Sequence, residues 1–242
     1  MKKILELSDI KKKFQDKDVH NGISFSLFKG ETVGLLGYSG AGKSVLLRSI
    51  IGLEEIDSGQ ILYHDQKIDH LDENELNKIR QRISYSFQSG ALFDSMNVFE
   101  NIAFPLFEHT TLSEDEIDLK VSQVLNLIGL KDAKELMPSD LSGGMQKRVG
   151  LARAMILDPE IILYDEPTAG LDPVNIEIIL NIMQNFKRKG FSGVFVTHDI
   201  PAAKKVCDRL LILKDGKIHF DGSPNDFDKS QDEYIRTFSM SC

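Results

Sequence analysis

The stretch TVGLLGYSGAGKSVLLRSII, residues 32–51, decides the fold of this chain. A short apolar run, TVGLLG, leads into a glycine-rich segment, and a second apolar run, SVLLRSII, follows it. Residues 37–44 fit the pattern G-x-x-x-x-G-K-[ST] and lie between a predicted strand and a predicted helix, which is the context that the pattern requires. Glycines let the backbone fold closely round phosphate oxygens, and N–H groups at a helix N-terminus attract anions. The stretch predicts a phosphate-binding loop.

Two side chains of this loop have distinct predicted roles. Lys43 is expected to reach the β and γ phosphates of a nucleoside triphosphate, and the hydroxyl of Ser44 is expected to hold Mg²⁺. The predicted nucleotide-binding residues of the loop are Gly37, Tyr38, Ser39, Gly40, Ala41, Gly42, Lys43, Ser44 and Val45.

Two further apolar runs end in residues that can do chemistry. IILYDEP (residues 161–167) carries Asp165 and Glu166 at the end of a predicted strand, and GVFVTHD (residues 193–199) carries His198. The carboxyl ends of parallel strands open on one crevice, so these side chains are expected to meet the phosphate-binding loop there. Asp165 is predicted to bind the hydration shell of Mg²⁺, and Glu166 to orient or deprotonate the attacking water. The pattern predicts hydrolysis of ATP.

The segment LSGGMQKR, residues 141–148, predicts a second anion site. It places Ser142 as the N-cap of a helix, with Gly143 and Gly144 as the first residues, so that their N–H groups face an anion. One ATP does not readily need two such sites from one chain. The sequence therefore predicts a head-to-tail dimer, in which this helix caps the γ-phosphate held by the partner's phosphate-binding loop.

The order of the runs predicts an α/β fold. KILELSDI, GISFSLF and QILYHDQKI have apolar residues at alternate positions, which favours a small antiparallel sheet, whereas the three continuous runs favour parallel strands covered on both faces. Residues 95–157 have helical signals, including a capping box at Ser113 and Glu116. We predict one domain, 1–242: a P-loop NTPase (RecA-like) core with an N-terminal antiparallel β-subdomain (1–94 and 158–242) and an inserted helical signature subdomain (95–157).

Composition narrows the classes of function. Lys and Arg number 29 against 37 Asp and Glu, a net charge of −8, which argues against a general nucleic-acid binder. The two cysteines cannot build a disulfide framework, so a reducing compartment is expected. No apolar run approaches the roughly 20 residues that span a bilayer, and the lysine-rich start lacks a following apolar region. A cytosolic chain that reaches a membrane through a partner is expected.

These motifs together resemble those of the ATPase subunits of ABC transporters, over nearly the whole chain. The resemblance implies that Phe14 stacks on adenine, although the family often has Tyr there. Gln88 matches the Q-loop glutamine, which senses Mg²⁺ and the attacking water and links the core to the helical segment. Asp172 in AGLDP lies in the segment that resembles the D-loop at the dimer seam, where Gly170 replaces the Ala of many members. His198 matches the switch histidine that contacts the γ-phosphate.

The resemblance also implies a mechanism. Two copies bind two ATP molecules between them, close, hydrolyse ATP and reopen, and the motion passes to membrane subunits through the Q-loop and the helical segment. The implied catalytic residues are Lys43, Gln88, Glu166 and His198. The implied Mg²⁺-binding residues are Ser44, Gln88 and Asp165. Outside the phosphate-binding loop, the expected nucleotide-binding residues are Phe14, Ser142, Gly143, Gly144 and Asp172.

SFQSGALFDSMNVFENIAFPL, residues 86–106, resembles the same region of the ATPases of Mla and Mce lipid-transport systems. The likeness implies a phospholipid or related cargo, a multi-pass permease, a membrane-anchored Mce-domain protein and, in some systems, a small STAS-domain protein. It also implies a position on the inner face of the cytoplasmic membrane. Its apolar residues are expected to divide between core and an exposed groove for the permease. Phe87, Val98 and Ile102 are expected in the core, and some of Leu92, Phe93 and Met96 in the groove.

Two other classes of function stay open on the sequence. The ATPase of a small-solute ABC transporter shares every catalytic motif. A non-transport ABC ATPase usually carries zinc-binding cysteines, long coiled coils or a second ATPase domain, none of which these 242 residues show. A purely structural nucleotide-binding module is disfavoured, because Glu166 and His198 are both present.

Overall fold

Ten β-strands form two separate sheets in the part of the chain that the structure describes. In a computed structural model, which describes residues 2–15 and 17–240, the strands are β1 (Lys3–Phe14), β2 (Lys17–Phe28), β3 (Thr32–Leu36), β4 (Ser58–Tyr63), β5 (Gln66–Lys67), β6 (Ile83–Ser86), β7 (Ile161–Asp165), β8 (Ser192–Val196), β9 (Arg209–Lys214) and β10 (Lys217–Gly222). One sheet is antiparallel with the order β2-β1-β4-β5, and the other has the order β10-β9-β3-β8-β7-β6.

The second sheet is parallel except at one edge. Strands β6, β7, β8, β3 and β9 run in the same direction, and β10 pairs antiparallel with β9. All residues of β3, β7 and β8 are buried, as expected for strands covered on both faces. The hairpin between β9 and β10 turns at Asp215 and Gly216, both with positive φ, as the Asp-Gly pair predicts.

Nine α-helices connect and cover these strands within the described residues. They are α1 (Lys43–Ile50), α2 (Glu73–Arg82), α3 (Val98–His109), α4 (Glu114–Leu127), α5 (Gly143–Met155), α6 (Pro173–Arg188), α7 (Ile200–Val206), α8 (Pro224–Lys229) and α9 (Glu233–Met240). Helices α3, α4 and α5 lie within residues 95–157, where the sequence shows helical signals. The predicted capping box of α4 is confirmed, since Ser113 accepts from the Glu116 amide and Glu116 reaches back to the N-cap.

Two hydrophobic cores hold the chain together. One fills the space between the antiparallel sheet and one face of the parallel sheet, with Leu5, Leu27, Leu46 and Val194 among its fully buried members. The other lies on the opposite face and joins residues of the parallel sheet and α6 with residues of α3, α4 and α5 in one cluster. The α/β class with an antiparallel sheet and a helical segment is confirmed. The subdomain boundaries at 94/95 and 157/158 stay a prediction.

Phe87 does not belong to the core, contrary to the expectation from its position. Strand β6 ends at Ser86, so Phe87 lies beyond the last paired residue, and 41% of its surface is exposed. Its ring stacks obliquely on Tyr85, 4.6 Å between centroids. Phe93 is 43% exposed, as expected, whereas Leu92 is half-buried against the core and Met96 is also half-buried.

None of the helices in residues 2–15 and 17–240 is long and apolar enough to cross a membrane. Cys207 is buried, and burial raises the pKa of its thiol, so it is inert in the folded chain. The second cysteine, Cys242, lies outside the described residues.

Candidate functional site

A pocket of about 720 Å³ opens at the carboxyl ends of the parallel strands. Residues 37–45, which follow β3, form its floor, and Glu166 and His198 enter from the ends of β7 and β8. Gln88 follows β6 and also lines the pocket, and Phe14 at the end of β1 lies on its rim. The structure therefore brings the predicted loop, Phe14, Gln88, Glu166 and His198 to one place.

The phosphate-binding loop depends on two glycines in the left-handed region. Gly40 has φ 77° and Gly42 has φ 93°, conformations that side chains rarely adopt. Gly42 is the N-cap of α1 without a side-chain cap, so the first N–H groups of the helix remain available to an anion. Lys43 is buried, and its ammonium donates to the carbonyl oxygens of Gly37 at 2.8 Å and Tyr38 at 3.2 Å. The loop thus carries a positive charge on its concave side.

Glu166 is held between a lysine and a histidine. One carboxylate oxygen lies 3.9 Å from the ammonium of Lys43, and the other lies 2.9 Å from Nδ1 of His198, which donates to it. Glu166 has φ 48°, in the left-handed region of the backbone. For a residue with a Cβ atom this conformation is unfavourable by about 1–2 kcal/mol. Such strain is typical of functional sites. A carboxylate so oriented can accept a proton from water.

The oxygens of Ser44 and Asp165 fit a magnesium ion. Ser44 Oγ donates to Asp165 Oδ1 at 2.6 Å, and Tyr85 donates its hydroxyl proton to Asp165 Oδ2 at 2.6 Å. Burial, and then the hydrogen bond to Asp165, raise the pKa of Tyr85, so the hydroxyl keeps its proton. Hydroxyl and carboxylate oxygens are the ligands that Mg²⁺ takes, usually one or two from protein with water and phosphate oxygens completing the set.

The protein offers few ligand atoms to a metal here, which is usual for a Mg²⁺ site. Among the described residues, no group of three or more His, Cys, Asp and Glu side chains is arranged to hold a metal. Ser44 and Asp165 would hold a magnesium ion together with the phosphates of a bound nucleotide, and the exposed Gln88 lines the same pocket as Ser44.

Phe14 presents a ring face to the pocket. Its ring is 41% exposed, and the ammonium of Lys12 lies 4.9 Å from the ring centroid. Lys17 and Val19, on the neighbouring strand β2, line the same wall. An aromatic face that lines the same pocket as the phosphate-binding loop can stack on a nucleotide base.

The remaining predicted residues lie outside this pocket. Ser142 caps α5, and Gly143 and Gly144 form its first turn. Asp172 caps α6 by accepting from the amides of Val174 and Asn175. A hydrogen bond from the Asn175 side chain is the first cause that lowers the pKa of Asp172. The second anion site and the nucleotide pocket therefore do not meet within one chain, and the assignment of Ser142, Gly143, Gly144 and Asp172 to nucleotide binding stays a prediction.

Two neighbours of the loop, His20 and helix α9, were not assigned to the site from the sequence. His20, expected to be an ordinary surface or core histidine, is buried with Nε2 3.0 Å from the carbonyl oxygen of Gly42. Tyr38 packs edge-on against Phe238 and Tyr234 of α9, with ring centroids 5.2 and 6.1 Å away. The spacing of these two aromatics, four residues apart in an otherwise polar tail, is the signal that a packed helix follows β10.

Comparisons with known sequences identify the family. Residues 20–169 match the ABC transporter family. The Escherichia coli (strain K12) protein MlaF, an intermembrane phospholipid transport system ATP-binding protein, is 37% identical over 97% of this chain and 88% of that protein. The Arabidopsis thaliana protein TRIGALACTOSYLDIACYLGLYCEROL 3, chloroplastic, is 38% identical over 98% of this chain and 73% of that protein.

Solved structures agree with this assignment. The ATP-binding cassette MJ0796, solved as a dimer in a post-hydrolysis state with ADP and Pi, has a TM-score of 0.84 and 31% identity, covering 91% of this chain and 99% of that chain. CbiO1 from Clostridium perfringens, part of the ABC transporter complex cbiONQ, has a TM-score of 0.86 and 29% identity, covering 99% and 96%. The predicted P-loop NTPase fold is confirmed. The chain belongs to the ABC transporter family as an ATP-binding, ATP-hydrolysing subunit.

Proposed function

We propose that this chain drives the movement of phospholipid between membranes. The observation that carries the proposal is the 37% identity to MlaF of E. coli over 97% of this chain. In this proposal the chain lies at the inner face of the cytoplasmic membrane and is held there by a multi-pass permease. An Mce-domain lipid-binding protein, and in some systems a small STAS-domain protein, complete the complex.

Glu166 is the proposed base of the hydrolysis. Its carboxylate, held by Lys43 at 3.9 Å and His198 at 2.9 Å, orients the attacking water and takes its proton. Lys43 and the N-terminus of α1 stabilise the negative charge on the transferring phosphoryl group, and His198 contacts the same group. Ser44, Asp165 and Gln88 would hold a Mg²⁺ ion, which would neutralise further negative charge on the phosphates.

Substitution of Glu166 by Gln tests this role. The change removes the base but keeps the shape of the side chain, so ATP binding is expected to stay within twofold of the native chain. The rate of ATP hydrolysis should fall by about 10²–10⁴-fold, the usual contribution of a general base. ATP should then trap a dimer that gel filtration detects. A variant that hydrolyses ATP at the native rate would show that Glu166 is not the base.

A head-to-tail dimer completes the proposed site. The first turn of α5 and the pocket are separate in one chain, and both present N–H groups suited to an anion. In the dimer, Ser142, Gly143 and Gly144 of one copy approach the γ-phosphate held by the loop of the other. Asp172 lies at the seam, and two ATP molecules are enclosed.

An apolar groove between α2 and α3 is the proposed seat of the permease. Its volume is about 380 Å³. Phe87, Phe93 and Leu53 line it, with 41%, 43% and 49% of their surfaces exposed, and Phe104 packs on Phe93 at 5.1 Å. Phe87 of this groove is the chain neighbour of Gln88, which lines the nucleotide pocket, so a segment bound in the groove can sense the state of that pocket. Exposed apolar surface of this kind marks a protein interface.

A matched pair of leucine variants tests the groove. Leu53→Asp places a charge in the groove, whereas Leu119→Asp places one on α4, where 60% of the Leu119 surface is exposed and no groove residue is near in the chain. Leu53→Asp and Phe93→Asp should lose the permease on co-purification from membranes while retaining ATP binding. Leu119→Asp should retain both. Equal co-purification of all three variants would refute the groove as the docking site.

A small-solute transporter is the second candidate, and one comparison favours it. The methionine import ATP-binding protein MetN of Brucella abortus (strain 2308) is 36% identical over 90% of this chain and 59% of that protein. Mass spectrometry of the complex purified with its native membrane partners separates the two candidates. Co-purifying phospholipid together with an Mce-domain protein supports the lipid proposal, and a bound amino acid or similar solute overturns it.

A further inference from the structure

His20 lies in β2 directly behind the phosphate-binding loop, with 2% of its surface exposed. Its Nε2 atom is 3.0 Å from the carbonyl oxygen of Gly42, the N-cap of α1. A carbonyl oxygen can only accept, so Nε2 carries the proton and donates it. The same oxygen accepts the first backbone hydrogen bond of α1, from the amide of Leu46 at 3.0 Å. His20 therefore holds the point where the loop becomes a helix.

The contact between β2 and the loop is close on both sides of this hydrogen bond. A Cβ atom built on Gly42 would lie 2.5 Å from Cγ1 of Val19 and 2.9 Å from Nε2 of His20. The backbone of Gly42 consequently packs so closely against β2 that a Cβ atom would not fit between them. The next residue along the chain is Lys43, whose ammonium lies inside the loop. A shift of β2 would therefore move the start of the helix and the lysine with it.

Packing alone does not account for a histidine at this position. The other ring nitrogen, Nδ1 of His20, is buried and has no hydrogen-bond partner among the described residues. An unsatisfied buried acceptor is unfavourable, and an apolar side chain would fill the same space without it. Burial is the largest cause that lowers the pKa of His20, the Gly42 hydrogen bond opposes it, and Lys12 lowers the pKa further. The ring is accordingly neutral, and its useful group is the Nε2–H donor.

Strand β2, which carries His20, also contributes to the wall of the pocket that would contact the nucleotide base. Strand β2 pairs with β1 so that His20 lies opposite Lys12, and Lys17 lies opposite Phe14. Lys17 and Phe14 line the same pocket as the phosphate-binding loop. The His20 hydrogen bond thus joins the two walls that would hold the base and the phosphates of one nucleotide.

We propose that His20 is a positioning residue for nucleotide binding, which sets the spacing between the Phe14 wall and the phosphate-binding loop through its hydrogen bond to Gly42. It acts through Gly42 and does not touch the nucleotide. The inference rests on the proposed nucleotide site and adds to it a residue that no motif includes.

The test compares two unbranched side chains of similar size in the full chain. His20→Gln keeps an N–H donor near the position of Nε2, and His20→Met does not. His20→Met should raise the KM for ATP, and the Kd measured by calorimetry, by about 3- to 10-fold, the effect of one lost hydrogen bond. The kcat should change by less than twofold. His20→Gln should keep the KM and Kd within twofold of the native values.

Two outcomes would overturn the proposal. The first is that His20→Met has the native KM and Kd for ATP. The second is that His20→Met and His20→Gln raise the KM and Kd equally, which would show that the volume of the imidazole ring matters and its hydrogen bond does not. If His20→Met does not fold, His20→Leu takes its place in the comparison. His70→Leu, at a histidine whose side chain is 72% exposed, controls for loss of an imidazole and should bind ATP normally. Lys43→Ala should lose ATP binding, and if it binds like the native chain, the nucleotide site itself is misplaced.

Discussion

Replacement of Asn101 by Ala should destabilise the loop that follows Gln88. Asn101 lies in the first turn of α3 and is fully buried. Its side-chain N–H groups donate to the carbonyl oxygens of Phe93, Met96 and Asn97 at 3.1, 2.9 and 3.0 Å. Its oxygen accepts from the Phe93 amide at 2.8 Å and, at 3.4 Å, from the Arg153 guanidinium. One side chain thus closes the whole turn between Phe93 and the start of α3.

The expected loss of stability follows from the number of hydrogen bonds that Asn101 makes. A carboxamide has two N–H donors and an oxygen with two lone pairs, so Asn101→Ala removes about three hydrogen bonds of normal length, besides the long one from Arg153. At about 0.5–1.5 kcal/mol net for each, the free energy of unfolding should fall by about 2–4 kcal/mol. Domains of this kind have about 5–15 kcal/mol in total, so the loss is a large share.

Asn126→Ala is the matched control. Asn126 is exposed on α4, and the same gain in helix propensity accompanies both changes, so the difference between the variants isolates the hydrogen bonds. Urea unfolding followed by circular dichroism measures both, and Asn126→Ala should shift the free energy by less than about 0.5 kcal/mol. Limited proteolysis should cut Asn101→Ala between residues 87 and 97. Equal stability of the two variants, within about 0.5 kcal/mol, would refute the reasoning.

Two further predictions concern the nucleotide. Phe14→Ala should raise the KM for ATP by about 5- to 100-fold, since stacking of one base on an aromatic ring contributes about 1–3 kcal/mol, while inorganic triphosphate, which has no base, should bind as before. An unchanged KM would show that Phe14 does not stack on the nucleotide base. Ser142→Arg in one copy of a mixed dimer should disable the site formed with the other copy's phosphate-binding loop and spare the second site. Single-turnover measurements that find two equally active sites would contradict the head-to-tail arrangement.

The position of the central residues of the candidate site could be predicted from the sequence, whereas the position of their neighbours could not. The loop at residues 37–45, Glu166 and His198 were predictable because each directly follows a continuous apolar strand, and parallel strands bring such ends together. Phe87 was assigned wrongly because nothing local shows that β6 ends at Ser86 and that the next side chain turns outward.

His20 was unpredictable for a different reason. Ile23, Phe25 and Leu27 alternate inward along β2, and this period places His20 on the outer face. The pairing of β1 and β2 shifts register between Ile10 and Lys11, next to Gly22 with φ 95°, and the irregularity turns His20 inward. A bulge reverses the face of every residue beyond it, and it leaves little trace in the pattern of hydrophobic residues.

The order of strands in the parallel sheet bears on how the chain is made. Strand β3, which carries the phosphate-binding loop, has β8 and β9 as its neighbours, and both are synthesised long after it. While the chain emerges from the ribosome, β3 therefore has two unpaired edges, and such pairings between distant segments form slowly. A chain that stops before β8 would expose these edges and aggregate. Stable binding of ATP is therefore expected only from chains that extend through β9, and a fragment carrying only the motif should not acquire it.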